Sequence, residues 1–358
     1  MNWLNRVLKE PYLWDYLQTV TKPIVLYGMG NGAEEILDRC AALQIPVQGI
    51  FASDEFVRGQ TFRGFPVKTY GEMKAELGDF VILLAFASER PEILQRFFHL
   101  AQQQETYAPH LPLFGDNDLV TPHWVREHAG VLQYVYEGLA DDKSRSVMQD
   151  ILSYKLSGKL SFLQETTSRR EDLETLFTFG KEECYADLGA YTGDTLTEFL
   201  GLTGGYYQHM YAVEPDPKNF KKLRAFAERQ ALSRITLCPK SIWAQDMPLR
   251  FAARGGRMSA LANDGKNATE GVSLDSLVGD HPLTYVKMDV EGAEKEALYG
   301  GSYVISREKP KLLVAGYHFD DDLWELPLAI WELVPEYKLY LRRHPYVPCW
   351  EINFFATL

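Results

Sequence analysis

The chain has 358 residues, of which 46% are hydrophobic and 24% charged, and its formal net charge at pH 7 is -12. This length predicts two domains, and the composition is that of a globular protein rather than a disordered or fibrous one. The negative charge disfavours nucleic acid or an anionic membrane as the main partner, because most of the surface would repel a polyanion.

Residues 1–115 are predicted to form a small α/β domain. An N-terminal amphipathic helix is followed, from residue 22, by a strand, a glycine-rich turn, a helix and further strands. Strands that alternate with helices predict a parallel sheet, so a small Rossmann-like domain is expected here. The longest apolar run, 80–87, has the length of a buried strand and is too short to cross a membrane.

Residues 116–180 are predicted to be a helical connector or cap, because their apolar positions recur at helical spacing. From residue 181 strands again alternate with helices, in five units predicted to form a parallel sheet, with a hairpin-like stretch that runs to Ala262. The last two predicted strands, 337–343 and 350–358, alternate apolar and polar residues in the pattern of an antiparallel pair.

The segment 187–194, DLGAYTGD, follows an apolar strand and opens a helix. A doubly wound sheet binds its ligand at such a place, beyond the carboxyl ends of the strands. Gly189 and Gly193 allow a tight turn and a close approach to the ligand. Asp187 is predicted to accept a hydrogen bond from a ligand ammonium group, and Asp194 to act first as a helix N-cap and second as a ligand contact.

A second acidic residue lies at the distance along the chain that is typical of a ribose contact. Glu214 ends the next strand, where a carboxylate can accept hydrogen bonds from both ribose hydroxyls; the alternative is a solvated loop acid. Asp216 and the stretch 241–243 after the third strand are expected to border an adenine, with apolar packing as the role of Ile242 and Trp243.

A third motif, KMDVEGAE at 287–294, places Asp289 at the end of another strand, with the carboxylates of Glu291 and Glu294 beyond it. In this order and spacing, DLGAYTGDT, AVEPDP and KMDVEGAE resemble the FkbM family of methyltransferases. The stretch 141–158 and the tail after residue 310 are similar to a bacterial branch of that family. The resemblance covers roughly residues 115–358.

The resemblance implies that S-adenosylmethionine is the cofactor and that a hydroxyl is methylated, often on a sugar, a glycan or a secondary metabolite. It also implies the class I methyltransferase fold, a Rossmann-like sheet of parallel strands with a terminal antiparallel hairpin, over residues 181–358. The residues predicted to bind the cofactor are Asp187, Gly189, Ala190, Tyr191, Thr192, Gly193, Asp194, Thr195, Glu214, Pro215, Asp216, Ser241, Ile242 and Asp289.

O-methylation requires a group that removes the hydroxyl proton. His318, at the end of the fifth strand, is the first catalytic candidate, because a histidine with its unperturbed pKa of about 6.5 suits this task at neutral pH. Asp289 and Glu291 are the alternatives, and a hydrogen-bonded structural role is the other interpretation of His318. The same two carboxylates are oxygen ligands that suit Mg²⁺, but no third ligand stands at a diagnostic spacing, so no metal is predicted.

The glycine-rich turn at 28–33, GMGNGA, resembles the first turn of the small Rossmann-like domains of nucleotide-sugar enzymes. Its backbone and the following helix N-terminus predict a second nucleotide site, formed by Gly28, Gly30, Asn31 and Gly32. A structural or substrate-presenting role is the alternative. An enzyme that binds NAD or a nucleotide sugar through this domain is therefore a rival function, and a non-catalytic cofactor-binding module is a third.

The remaining expectations concern surroundings and partners. The four cysteines are widely separated along the chain, which predicts neither a zinc site nor a disulfide framework and favours the cytoplasm. Arg342, Arg343 and His344 are expected to reach a substrate entrance. The expected partner is a small-molecule or glycan acceptor, without nucleic acid or a transmembrane segment, and a homo-oligomer is left open.

Overall fold

A computed structural model of the chain describes residues 2–114, 119–253, 259–261 and 267–358. Its helices are α1 (Asn2–Val7), α2 (Leu13–Thr19), α3 (Asn31–Ala42), α4 (Tyr70–Leu77), α5 (Pro91–Gln103), α6 (Pro122–Glu127), α7 (Ala129–Gly138), α8 (Asp142–Ser157), α9 (Arg169–Leu176), α10 (Asp194–Leu202), α11 (Pro217–Arg229), α12 (Leu274–Val278), α13 (Glu294–Gly300), α14 (Ser302–Glu308) and α15 (Asp322–Leu333). Its strands are β1 (Ile24–Tyr27), β2 (Gly49–Phe51), β3 (Thr61–Phe62), β4 (Phe65–Lys68), β5 (Val81–Leu84), β6 (Glu105–Tyr107), β7 (Cys184–Leu188), β8 (His209–Val213), β9 (Ile235–Cys238), β10 (Ser241–Ile242), β11 (Met247–Ala253), β12 (Ser259–Leu261), β13 (Asn267–Val272), β14 (Tyr285–Met288), β15 (Lys311–Ala315), β16 (Lys338–Arg343) and β17 (Ile352–Thr357).

The chain divides into two compact units that alternate along the sequence. The first comprises Met1–Gln133, Arg145–Thr166 and Arg343–Glu351, and the second comprises Tyr134–Ser144, Thr167–Arg342 and Ile352–Leu358. The three-part division predicted at residues 115 and 180 stays a prediction, and its first boundary falls in 115–118, outside the described residues. No helix in the described ranges is both long and apolar enough to span a membrane.

The first unit is built on a sheet with the strand order β3-β4-β2-β1-β5-β6. All neighbours in this sheet are parallel except β3 and β4. Every residue of β1 and β5 is buried, as expected for central strands of a parallel sheet with both faces covered. The predicted parallel sheet is therefore present, while its likeness to the domains of nucleotide-sugar enzymes stays a prediction.

The second unit contains a seven-stranded sheet with the order β16-β17-β15-β14-β7-β8-β9. The run from β9 to β15 is parallel, and β17 lies antiparallel to β15. This arrangement confirms the fold class predicted from the alternation of strands and helices. The chain order reverses between β7 and β14, and ligands of open α/β sheets bind beyond the carboxyl ends of the strands at such a reversal.

Some predicted elements divide differently in the structure. The predicted N-terminal helix is two short helices, α1 and α2, because Pro11 lacks the amide hydrogen that a continuous helix needs. The predicted third strand ends as β9, and β10 belongs to a separate sheet with the order β10-β13-β11-β12. The end of the predicted hairpin-like stretch, Ala262, lies outside the described residues.

The prediction that Arg342, Arg343 and His344 reach a substrate entrance is wrong, because all three side chains are buried. In the second unit, Arg342 lies 2.6 Å from Asp141 Oδ2 and 3.2 Å from Asp172 Oδ1. A buried guanidinium needs such carboxylate partners, because an unpaired charge inside a protein is strongly destabilising. In the first unit, Arg343 donates a hydrogen bond to the carbonyl of Glu165.

Candidate functional site

The motifs of the second unit meet at the carboxyl ends of β7, β8, β14 and β15. The turn after β7 contacts the residue after β8, since the amide of Tyr191 donates to Glu214. The same turn lies against the loop after β14, because Gly189 packs on the backbone of Asp289. That loop in turn approaches His318, which follows β15. These four loops form the candidate site, and they flank the reversal point of the sheet.

Gly189 brings the two central loops together. Its φ is +87°, and a Cβ at this position would lie 2.0 Å from the carbonyl oxygen of Asp289. The amides of Gly189 and Ala190 both donate to the carbonyl of Val213, which joins the turn to β8. The sequence predicted that Gly189 allows close approach to a ligand, whereas the close approach that the structure shows is to the neighbouring loop.

We expect the substitution Gly189→Ala to lower the free energy of unfolding by about 2–5 kcal/mol, because it combines a strained φ with a steric overlap. Gly205 is a matched control: its φ is +83°, and nothing lies within 4 Å of its Cβ position. Gly205→Ala therefore reports the backbone strain alone, about 1–2 kcal/mol. Urea unfolding of both variants checks this, and equal losses would contradict the proposed overlap.

Asp187 is buried at the end of β7 and is engaged by other side chains. Its Oδ2 accepts a hydrogen bond from the Thr195 hydroxyl, and its Oδ1 lies 3.5 Å from Nζ of Lys287. Lys287 also donates to the carbonyl of Gly189 at 2.8 Å. Burial raises the pKa of Asp187, although the charge of Lys287 opposes this rise. Asp187 thus holds the glycine-rich turn through Lys287 and Thr195.

Glu214 is fixed by the backbone of two different loops. Its Oε2 accepts from the amide of Tyr191 at 3.0 Å, and its Oε1 accepts from the amide of Asp216 at 2.8 Å. Burial raises the pKa of Glu214 to about 7, although these two amides oppose the rise. Each carboxylate oxygen can accept a further hydrogen bond, so the group remains able to bind two hydroxyls. The alternative of a solvated loop acid does not fit this buried side chain.

The helix-capping roles differ from those predicted. Asp194 is the first residue of α10, whose N-cap is Gly193, so Asp194 does not occupy the N-cap position. Asp216 instead caps α11, where its Oδ1 accepts from the amides of Lys218 and Asn219 at 2.9 Å each. A carboxylate at a helix N-cap satisfies amides that have no partner within the helix.

The other predicted cofactor-binding residues are spread around the turns after β7, β8 and β9. Ser241 and Ile242 are buried in β10, and the hydroxyl of Ser241 has no hydrogen-bond partner among the described residues. Among the remaining residues, Tyr191 and Pro215 are exposed, Thr192 and Thr195 are half-buried, and Ala190 is buried. Gly193 packs on α11, since a Cβ there would lie 2.5 Å from the ring of Phe226.

Three carboxylates surround the imidazole of His318. Its Nδ1 lies 3.1 Å from Glu294 Oε1, and its Nε2 lies 3.6 Å from Asp289 Oδ1 and 3.7 Å from Glu291 Oε2. We call these four residues the acidic-histidine cluster. Burial alone would lower the pKa of His318, but the negative charges of the three carboxylates raise it to about 10. The value of about 6.5 assumed from the sequence therefore does not hold in the fold.

The local backbone explains how the cluster forms. Glu291 has a φ of +58°, which is uncommon for a residue other than glycine, and Gly292 follows with +93°. This turn allows Glu294, the first residue of α13, to reach back so that its Oε1 accepts from the amide of Val290 at 2.7 Å. The cluster is thus assembled by one tight turn after β14 and by the chain after β15.

The side chain of Asp289 has two further interactions. The Tyr317 hydroxyl donates to Oδ1 of Asp289 at 3.2 Å. Burial alone would raise the pKa of Asp289, but the positive charges of Lys287 and His318 lower it. No role was predicted from the sequence for Lys287, Glu294 or Tyr317. Lys287 could have been identified from the sequence, because it is a lysine inside an otherwise apolar strand.

The predicted second nucleotide site lies in the first unit, after β1. Packing accounts for two of its glycines: a Cβ on Gly28 would lie 2.5 Å from the ring of Phe86, and a Cβ on Gly32 would lie 2.7 Å from the carbonyl of Ala85. Gly30 precedes α3, which begins at Asn31. These contacts support the structural alternative, and nucleotide binding here stays a prediction.

Comparisons with known proteins agree with the geometry of the second unit. Residues 187–347 match the family described as the methyltransferase FkbM domain. The chain carries an FkbM methyltransferase domain. This FkbM domain includes every predicted site residue from Asp187 to His318, whereas Gly28, Gly30, Asn31 and Gly32 lie outside it.

The fold of the whole chain, including the FkbM domain, is similar to that of a solved FkbM methyltransferase from Methylobacillus flagellatus. The TM-score is 0.74 at 21% sequence identity, and the match covers 94% of this chain and 90% of that chain. A putative methyltransferase from Streptococcus mutans, solved in complex with SAH, matches with a TM-score of 0.34 at 12% identity, over 53% of this chain and 95% of that chain. No curated protein sequence matches the chain.

Proposed function

We propose that the chain is an S-adenosylmethionine-dependent O-methyltransferase whose cofactor binds beside Glu214 and whose acceptor binds beside the acidic-histidine cluster. The observation that carries the proposal is the carboxylate of Glu214, buried at the reversal point of the sheet and oriented by two backbone amides. Such a group has the free acceptor positions that two ribose hydroxyls require.

The residues around Glu214 fit a nucleoside ligand. In the glycine-rich turn Tyr191 is exposed and Thr192 half-buried, and the buried hydroxyl of Ser241 lacks a hydrogen-bond partner among the described residues. Asp187 is buried and paired with Lys287, so its part is to fix the turn rather than to contact the cofactor. The residues proposed to hold the cofactor are the turn from Gly189 to Gly193, Glu214, Ser241 and Ile242.

When bound, S-adenosylmethionine supplies an electrophilic methyl group on a sulfonium sulfur, which becomes a neutral thioether after transfer. The role of the protein is to hold the acceptor hydroxyl in line with the sulfur–methyl bond and to accept the hydroxyl proton. Asp289 and Glu291 can be reached by an acceptor, because their side chains are 30% and 41% exposed, whereas that of His318 is only 1% exposed. We therefore assign proton acceptance to these carboxylates and a positioning role to His318.

The acceptor class follows from the family resemblance rather than from the fold. We propose a hydroxyl of a sugar, a glycan or a secondary metabolite, methylated in the cytoplasm. The net charge of -12 favours an acceptor that is not a polyanion.

The test combines binding and turnover. We expect calorimetric titration with S-adenosylhomocysteine to show binding, and methyl-labelled S-adenosylmethionine to label hydroxyl-bearing members of a panel of sugars and glycans. Matched deoxy sugars are the control, because they lack the accepting oxygen. Absence of S-adenosylhomocysteine binding would overturn the cofactor assignment, and equal labelling of the deoxy sugars would overturn the O-methyltransferase assignment.

A further inference from the structure

The acidic-histidine cluster has more negative charge than its histidine can balance. Asp289, Glu291 and Glu294 carry three carboxylates around one imidazole, and the atoms involved lie between 3.1 and 3.7 Å from its nitrogens. One ligand atom each from Asp289, Glu294 and His318 lie within 4.8 Å of one another. Donors bound at about 2.1 Å to one cation lie roughly 3–4 Å apart. An imidazole binds an ion through one nitrogen only, and Glu294 faces Nδ1 whereas Asp289 faces Nε2, so the three donors share one ion after the imidazole or one of these carboxylates turns.

Glu294 is the second indication of a ligand. Its side chain is 1% exposed, and its Oε2 is a buried oxygen without a hydrogen-bond partner among the described residues. A buried carboxylate oxygen without a partner is costly, because that oxygen has lost its water and gained no donor in return. The other oxygen, Oε1, faces His318 and the amide of Val290.

We propose that Asp289, Glu294 and His318 bind a divalent cation, with Glu291 at its exposed side. From the sequence, two carboxylates and no third ligand were predicted, because His318 follows a different strand, 29 residues after Asp289. The fold supplies that ligand by placing β14 and β15 side by side. The exposed side chains of Asp289 and Glu291 leave the ion accessible from the cleft.

The donor set indicates the class of ion. Carboxylate oxygens suit Mg²⁺ and Mn²⁺, whereas imidazole suits Zn²⁺ and other transition ions, so a mixed set of this kind accepts Mn²⁺. The role of the ion rests on the proposed function: it would bind the acceptor oxygen and lower the pKa of the hydroxyl, so that Glu291, which is not among the three ligands, would suffice to accept the proton.

Ion binding is measured with Mn²⁺ alone, without cofactor or acceptor. The full chain is freed of metal with a chelator and titrated with MnCl2, and bound ion is read from the loss of the electron paramagnetic resonance signal of free Mn²⁺. We expect saturable binding by the wild type. Glu294→Gln and His318→Gln should each weaken it at least about tenfold, because each replaces a carboxylate or imidazole donor by a neutral amide, which binds Mn²⁺ more weakly.

The matched control is His209→Gln. His209 is a half-buried histidine at the opposite end of β8, where it contacts the Thr236 hydroxyl, and its loss should not change Mn²⁺ binding. If the two buried variants do not fold, Asp289→Asn serves instead, since that side chain is partly exposed. No Mn²⁺ binding at millimolar chain concentration, or unchanged binding in folded variants of the cluster, would overturn the proposal.

The outcome is separable from that of the proposed function. Binding of S-adenosylhomocysteine without binding of Mn²⁺ overturns the metal site and leaves the methyltransferase assignment in place. Binding of Mn²⁺ without binding of S-adenosylhomocysteine supports the metal site and overturns the cofactor assignment.

Discussion

Replacement of His318 by glutamine is expected to lower the rate constant of methyl transfer by about 10²–10⁴-fold, while the affinity for S-adenosylhomocysteine changes by less than about threefold. The reason is geometric. His318 contacts Glu294 with one nitrogen and both Asp289 and Glu291 with the other, so the positions of all three carboxylates depend on it. Its own side chain is buried.

The measurement separates the catalytic step from binding. Single-turnover rates with labelled cofactor report the chemistry, and calorimetry with S-adenosylhomocysteine reports the cofactor site. The exposed His281 provides the control, since His281→Gln removes a histidine of the same unit without touching the cluster. Methyl transfer by His318→Gln at the wild-type rate would remove this residue from the mechanism.

The second large effect is expected at the cofactor site. Glu214→Gln should weaken S-adenosylhomocysteine binding about 10–100-fold, because hydrogen bonds to a charged group contribute about 1.5–3 kcal/mol and the amide is neutral. The amide nitrogen would also face the backbone N–H of Tyr191 or Asp216, which are both donors. Calorimetric titration checks this, with the fully exposed Asp280 as the control in the variant Asp280→Asn.

The same residue predicts a pH dependence with a definite sign. Since burial raises the pKa of Glu214 to about 7, the carboxylate that accepts from ribose hydroxyls is the major form only above that value. The affinity for S-adenosylhomocysteine is therefore expected to be about tenfold lower at pH 6 than at pH 8, because at pH 6 Glu214 is ionised in only about one chain in eleven. Glu214→Gln should bind with an affinity that is flat over this range. A flat wild-type profile would contradict the ribose role of the ionised carboxylate.

Local sequence patterns were sufficient to predict much of this protein. The alternation of apolar strands with amphipathic helices predicted parallel sheets in both halves, and glycines and carboxylates after the strands predicted where the candidate site lies. These predictions succeed because burial on both faces and tight turns after strands leave a signature within a few residues of chain. The same reasoning was too coarse for short elements, as the division between α1 and α2 shows.

The predicted position of charged side chains was less reliable. Arg342, in a segment with a strand pattern, was expected at an entrance, but the structure pairs it with Asp141 and Asp172, which are about 200 and 170 residues away. Asp194 and Asp216 look equally suited to capping, and only Asp216 caps its helix. Whether a charge is solvated or paired depends on what the fold brings next to it, which a single stretch of sequence does not contain.

The sequence by itself therefore determined the class of fold, the family resemblance and the strand ends that carry the chemistry. The tertiary structure decided which side chains act together: Lys287 with Asp187, Glu214 with the amide of Tyr191, and Glu294 with His318. It also decided the state of His318, whose pKa depends on three carboxylates rather than on its residue type. The physical reason is that periodicity records burial along the chain, whereas pairing and pKa depend on distances across it.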